Sequence, residues 1–317
     1  MNMKNSQIYK YTFTFALISI ILISCTEEFI PETQEEDQQY VVEGFIEAGE
    51  SETPTYVLLT RSIPFLSTID LNTFNTIFVN DAKVTVSDGT NTVELEEFCL
   101  DDLPPEIREA AATALGFDPD STTLNICAYV DFFNLTNPQE GGVYDLKIEV
   151  NNDVITATTT IPEVVPLFNL RWDDPPGEPS DTIARLWVTI DDPADDANFY
   201  RYFTEENNDG FVTPFSSVVD DKFFDGKEFE FPLTKAEPRD GDFDANTFGW
   251  YFRGDSIRIK WMTIDEAHFE FWNTLEFSRN NSGPFSSYNR VSSNVNGALG
   301  VWGGYAVRYY DEFVPLK

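Results

Sequence analysis

The chain is poor in the residues that carry most enzyme chemistry. Its 317 residues include one histidine, three cysteines and three methionines. That supply argues against a cysteine-rich zinc site, which needs four Cys or His ligands at one point. Positive charge is also scarce: 20 Lys and Arg face 55 Asp and Glu, for a formal charge of -35. Such a surface repels nucleic acid and anionic lipid headgroups. No serine sits in a nucleophile-elbow sequence, and neither "GGVYD" nor "VWGGYA" has the spacing of a phosphate loop. The lone His268 lies between Glu266 and Glu270 without a nucleophile near it in sequence, and reads as a surface or helix-packing residue. A carboxylate pair of the glycosidase type needs only two acids about 5 to 9 Å apart, but so many acids make chance pairs abundant. The chain reads as a non-enzyme.

The apolar run from Tyr11 to Ser24 falls short of the roughly 20 residues a bilayer span requires. Behind Lys4 and Lys10 it has the size of a signal-peptide core. Leu22, Ile23, Ser24 and Cys25 resemble a bacterial lipobox, which predicts cleavage before Cys25 and lipidation of its thiol. Each buried methylene contributes about 0.8 kcal/mol, so two or three acyl chains make a lasting anchor. Loss of residues 1–24 removes two lysines and takes the charge from -35 to -37. The stretch from Thr26 to Gln39 is polar and acidic and reads as a tether. Acids directly after the lipid cysteine resemble a surface-export signal of Bacteroidota lipoproteins, which implies outer-membrane attachment facing the cell exterior, with the periplasmic face as the alternative.

The body is rich in aromatics: 28 Phe, 13 Tyr and 6 Trp. Some must fill cores, and others suit an interface. Strand signals dominate. In "AKVTVSDGTNTVEL" and "GGVYDLKIEVNNDVITATTTIP" apolar residues alternate around a turn, Val84 and Val86 in the first and Val143, Leu146, Ile148 and Val150 near a strand period in the second. "TIARLWVTIDDP" and "GDSIRIKWMTID" repeat the pattern, the latter with Ile257, Ile259 and Trp261 on one face. Phe269, Trp272 and Leu275 recur at helical spacing in "DEAHFEFWNTLEFSRNN". The expected fold is all-β: two antiparallel, immunoglobulin-like sandwiches in tandem, at 40–162 and 163–317, with a helix in the second. An insertion between Cys99 and Cys127 carries a short helix over Ile107–Leu115. An extracytoplasmic compartment permits a disulfide at the base of that insertion; two buried thiols are the alternative.

These pieces resemble the Bacteroidota lipoprotein family known as domain of unknown function 4249. The resemblance runs through "YVVEGFI", "VNDAKVTVSDG", "GGVYDLKIEV", "VVDDKFFDGKEFEF" and "IDEAHFEFWNTLE". It is most specific in "GPFSSYNRVSSNVNGALGVWGGY", where Asn294, Gly297, Gly300, Trp302 and Gly303 fall on the family's Asn and Gly signature. The Cys99–Cys127 insertion departs from the pattern. The resemblance implies an accessory to a TonB-dependent outer-membrane receptor, helping to capture or admit a nutrient or peptide ligand, with a lipid anchor as the sole membrane contact. It brings no catalytic residues.

Independent of the family, "RDGDFDANTFG" alternates hard oxygen ligands at Asp240, Asp242, Asp244 and Asn246, a candidate calcium loop. Alanine replaces the sharp-turn glycine of a helical calcium loop, and a solvated hairpin tip is the competing reading. "DDPADDAN", residues 191–198, is a second and weaker candidate. Gly297 and Gly300 suit positive φ or close backbone approach. Trp250, Tyr251, Trp302 and Tyr305 are candidates for an aromatic ligand or partner surface, or for strand core. Besides the receptor accessory, an independent adhesin or glycan- or peptide-binding lipoprotein fits the sequence, and a hydrolase fits less well.

Overall fold

The computed structural model describes residues 38–63, 76–104, 107–108, 125–177, 179–194, 196–238, 241, 243–280 and 290–317. Cys25 and nearly all of the helix expected over Ile107–Leu115 lie outside them. Among the described residues, seventeen strands and one long helix make the structure β-rich.

The backbone of the fold is an eight-stranded sheet, in the order β12-β11-β15-β17-β1-β2-β6-β5. It comprises β1 (Tyr40–Gly49), β2 (Tyr56–Arg61), β5 (Glu96–Cys99), β6 (Cys127–Val130), β11 (Phe199–Glu206), β12 (Val218–Asp220), β15 (Ser256–Ile264) and β17 (Leu299–Phe313). A five-stranded sheet contains β3 (Lys83–Ser87), β4 (Thr92–Glu94), β7 (Val143–Val150), β8 (Asp153–Thr160) and β16 (Val295–Asn296). The third sheet centres on β10 (Ile183–Asp191), flanked by β9 (Leu167–Asp173), β13 (Glu228–Leu233) and β14 (Tyr251–Phe252). The hairpins read from sequence are present, with Val84 opposite Ile148 and Val86 opposite Leu146.

The tandem division at 162/163 does not hold. β1 pairs in parallel with β17, from Val41 opposite Leu299 to Gly49 opposite Val307, while β17 also pairs with β15. Strands from both halves of the chain thus share one ladder of hydrogen bonds. Among the described residues none of the sheets closes on itself, and the pairing does not give two separate immunoglobulin-like sandwiches. A parallel first-to-last pair leaves no signal in local periodicity, because it joins segments at opposite ends of the sequence.

Side-chain alternation divides the long sheet into two faces. On one, Val42, Ile46, Ala48, Trp302 and Ala306 meet Val84, Val86, Leu146, Ile148 and Ile155 of the five-stranded sheet. Farther along β17 on that face, Ile257, Ile259, Trp261 and Tyr310 meet Leu186, Val188 and Ile190 of the third sheet. The opposite face carries Phe45, Tyr56, Val301, Tyr305, Val307, Met262 and Ile264. It is covered by α1, Glu266–Asn280, through Phe269, Phe271, Trp272 and Leu275. Asp265 caps this helix: its Oδ1 accepts the His268 N–H at 2.8 Å, and its Oδ2 accepts Thr159 Oγ1–H. Gly300 has φ +112°, and a Cβ there would lie 1.8 Å from the Val42 carbonyl oxygen. Only glycine lets β17 start beside β1.

Candidate functional site

The aromatic residues singled out from sequence are mostly core. Trp302 is fully buried and its Nε1–H donates to the Tyr144 carbonyl at 3.0 Å. Tyr251 is fully buried, edge-on to Trp172. Tyr305 is buried between Phe45 and His268. These three cannot form an exposed platform, because β14 and β17 are covered on the faces that carry them. Trp250 is half-buried, with the Arg185 guanidinium 5.2 Å from its ring centroid.

The exposed aromatic surface lies next to that segment instead. Phe248 sits 5.8 Å from Phe215 and 5.2 Å from Phe243, ring centre to ring centre, and Phe243 is 73% exposed. A row of phenyl rings facing water is costly unless something covers it. Phe243 and Phe248 lie in the segment 239–249, for which the sequence offers a calcium loop or a solvated hairpin tip. Asp240 and Asp242 lie outside the described residues. Asp244 and Asn246 are exposed, and Asp244 Oδ1 accepts both the Asn246 N–H and its side-chain amide at 2.9 Å. One oxygen of that carboxylate is thus engaged within its own turn.

A buried polar layer lies between α1 and the long sheet. Arg201 Nε donates to Ser217 Oγ at 3.1 Å, and Ser217 Oγ donates to Glu276 Oε1 at 2.5 Å. The Arg201 guanidinium lies 3.7 Å from the Trp272 ring centroid. Burial lowers the Arg201 pKa to about 10. Burial also holds the Glu43 carboxyl above its ordinary range, against the pull of Arg201. Lys260 Nζ meets Glu47 at 2.8 Å, almost wholly out of water. His268 is fully buried against Phe45, which corrects the surface reading, and burial pushes its pKa down to about 3. So weak a base is poorly matched to proton abstraction at neutral pH. Ser217 has a carboxylate and a guanidinium as neighbours, an arrangement that fixes its hydroxyl. No catalytic constellation is seen among the described residues.

A third cluster was only partly visible from sequence, through the weaker candidate segment 191–198. Asp192, Asp221 and Asp225 each offer a carboxylate oxygen, all within 4.8 Å of one another, and could hold a metal ion. Asp192 and Asp221 are buried, while Asp225 is exposed. The three come from two connections, one after β10 and one after β12, which is why no single stretch betrays them. Only Asp192 lies within the "DDPADDAN" segment flagged above.

With these arrangements described, comparison with known proteins places the chain. Residues 26–311 match the family described as Domain of unknown function (DUF4249). The chain belongs to that family. No curated protein and no solved structure matches it. The DUF4249 match runs through both halves of the sequence, as does the shared sheet. The terminal signature of this DUF4249 chain is architectural. Asn294 Oδ1 accepts the Trp302 N–H at 3.0 Å, and its Nδ2 donates to the Trp302 carbonyl at 2.8 Å. Gly303 lies under the His268 ring, where a Cβ would come within 2.8 Å of Nδ1. Gly297 and Gly300 both have positive φ. The disulfide of this DUF4249 chain joins Cys99 to Cys127 across the paired strands β5 and β6.

Proposed function

We propose that the protein is a non-enzymatic surface lipoprotein, anchored through Cys25 to the outer membrane and facing the cell exterior. It serves a TonB-dependent receptor as an accessory that helps capture or admit a ligand. The observation that carries this reading is the exposed row Phe215–Phe248–Phe243 on a strongly acidic chain. Rigid aromatic side chains supply contact area at low entropic cost, and interfaces are enriched in them. The lipobox-like stretch and the acidic residues behind it support the location. The same row would suit stacking on a sugar, so an independent glycan-binding lipoprotein is the alternative.

The test is purification of the native lipoprotein from mild detergent, followed by mass spectrometry of what accompanies it. A receptor barrel is expected with the parent chain, at least tenfold depleted with the double variant Phe243→Ala and Phe248→Ala. Equal recovery of the barrel with both proteins would remove the aromatic row from the interface. Binding of the purified protein to glycans with no barrel recovered would favour the alternative.

A further inference from the structure

We propose that Asp192, Asp221, Asp225 and Asn198 form a calcium site that ties the β10–β11 connection to the β12–β13 turn. This goes beyond the receptor reading and does not depend on it. The oxygens around Ca2+ lie at about 2.3–2.6 Å, so ligands of one ion sit within roughly 5 Å of each other. The three carboxylates meet that limit. They are also a charge without an answer. No Lys or Arg among the described residues forms an ion pair with any of them, and the neighbouring Lys222 turns to Asp220 instead. Burying two carboxylates beside a third is costly unless a cation or a proton joins them.

Asn198 supplies the second, independent sign. Its side-chain oxygen is sealed from solvent and accepts no hydrogen bond. Its main chain is clasped to Asp221: the Asn198 N–H donates to Asp221 Oδ2 at 2.6 Å, and the Asp221 N–H donates to the Asn198 carbonyl at 3.2 Å. A buried amide oxygen without a donor is what a hard cation uses beside carboxylates. The rest of the frame is rigid. Tyr200 donates its hydroxyl to Asp192 Oδ1, and the Gly226 N–H donates to Asp192 Oδ2 at 3.1 Å. Phe224 and Asp225 both donate their N–H groups to the Asp221 carbonyl, which fixes the turn. A surface hollow lined by Ala194, Ala197, Lys222 and Gly226 opens onto Asp221 and Asp225 and gives an ion access.

Terbium titration of the full chain at pH 7 tests the site, with Tyr200 beside it as the sensitising ring. Saturable emission that Ca2+ displaces at about 1 mM or below is expected, the range of extracellular calcium modules. Asp225→Asn, at an exposed position, should weaken the ion at least tenfold, and Asn198→Ala should weaken it too. Asp244→Asn should leave it unchanged. Calcium should raise the unfolding midpoint of the parent and leave that of Asp225→Asn where it was. The proposal is overturned by the absence of saturable emission, by unchanged affinity in Asp225→Asn, or by loss of binding in Asp244→Asn, which would place the ion in the loop before β14. A proton in place of the metal would appear as no emission at pH 7.

Discussion

At the scale of single residues, the buried polar groups under α1 act on stability. His268 ordinarily titrates near 6.5 and is lowered to about 3 in the fold. Between those values the unfolded chain binds the extra proton, so stability falls as the pH falls from about 6.5 toward 3. At about 1.36 kcal/mol per pK unit, the loss between pH 6.5 and pH 5 is roughly 2 kcal/mol. The raised carboxyls of Glu43 and Asp265 work the other way: each favours the fold as the pH falls through the window above its ordinary 4.5 or 3.8. His268→Phe keeps a ring against Phe45 and Tyr305 and leaves both carboxyls in place. Urea titrations at pH 6.5 and pH 5 should show the parent losing about 2 kcal/mol more than this variant. Parallel profiles would mean that His268 does not stay neutral in the fold. The sequence offered helix packing as one of two readings of His268, but not its depth of burial or its neutrality. Its neutrality comes from β17 and β1, which lie far from it along the chain.

At the scale of elements, alternation and turn chemistry were good guides wherever partners are neighbours. The β3, β7 and β8 strands read correctly because each buries one face and shows water the other. The helix read correctly because Phe269, Trp272 and Leu275 keep its period. The same logic misled at β14 and β17. Trp302 and Tyr305 point to opposite faces of β17, yet both are buried, since that strand is covered on both sides along this stretch. A strand covered twice has no wet face to identify it. The Cys99–Cys127 bridge staples the edge pair β5–β6 across a sequence separation of 28. Closing a loop of that size restricts the unfolded chain by roughly 3–4 kcal/mol. Cys99→Ser with Cys127→Ser should lower the unfolding free energy by about that amount, and reductant should do the same to the parent. A change under about 1 kcal/mol would show that the unfolded chain is already restricted without the bridge.

At the scale of the whole molecule, the two halves are one structure. Each core contains side chains of the long sheet, and β1 has its neighbours β2 and β17 from opposite ends of the chain. Residues 40–162 expressed alone should therefore show no cooperative unfolding by circular dichroism, because β1 and the β8 edge lose β17 and β16. A sharp transition in that fragment would restore the tandem division. In the full chain, fluorescence, which reports Trp302 in one core and Trp261 in another, and circular dichroism should follow a single urea transition. The functional sites were only partly legible for a similar reason, with Asp192 and Asn198 inside the flagged segment 191–198 and their partners outside it. Asp192, Asn198, Asp221 and Asp225 converge only once β10 to β13 are arranged, and the row Phe215–Phe248–Phe243 joins two loops.

The parallel pairing of β1 with β17 also sets the order of events in manufacture. A ribosome delivers β1 long before β17, since Val41 and its partner Leu299 are 258 positions apart. Until the final strand emerges, β1 has an open edge of the kind that recruits stray strands. A nascent chain of this design must be kept from settling early, and a message truncated before Leu299 yields a product that no amount of waiting will finish.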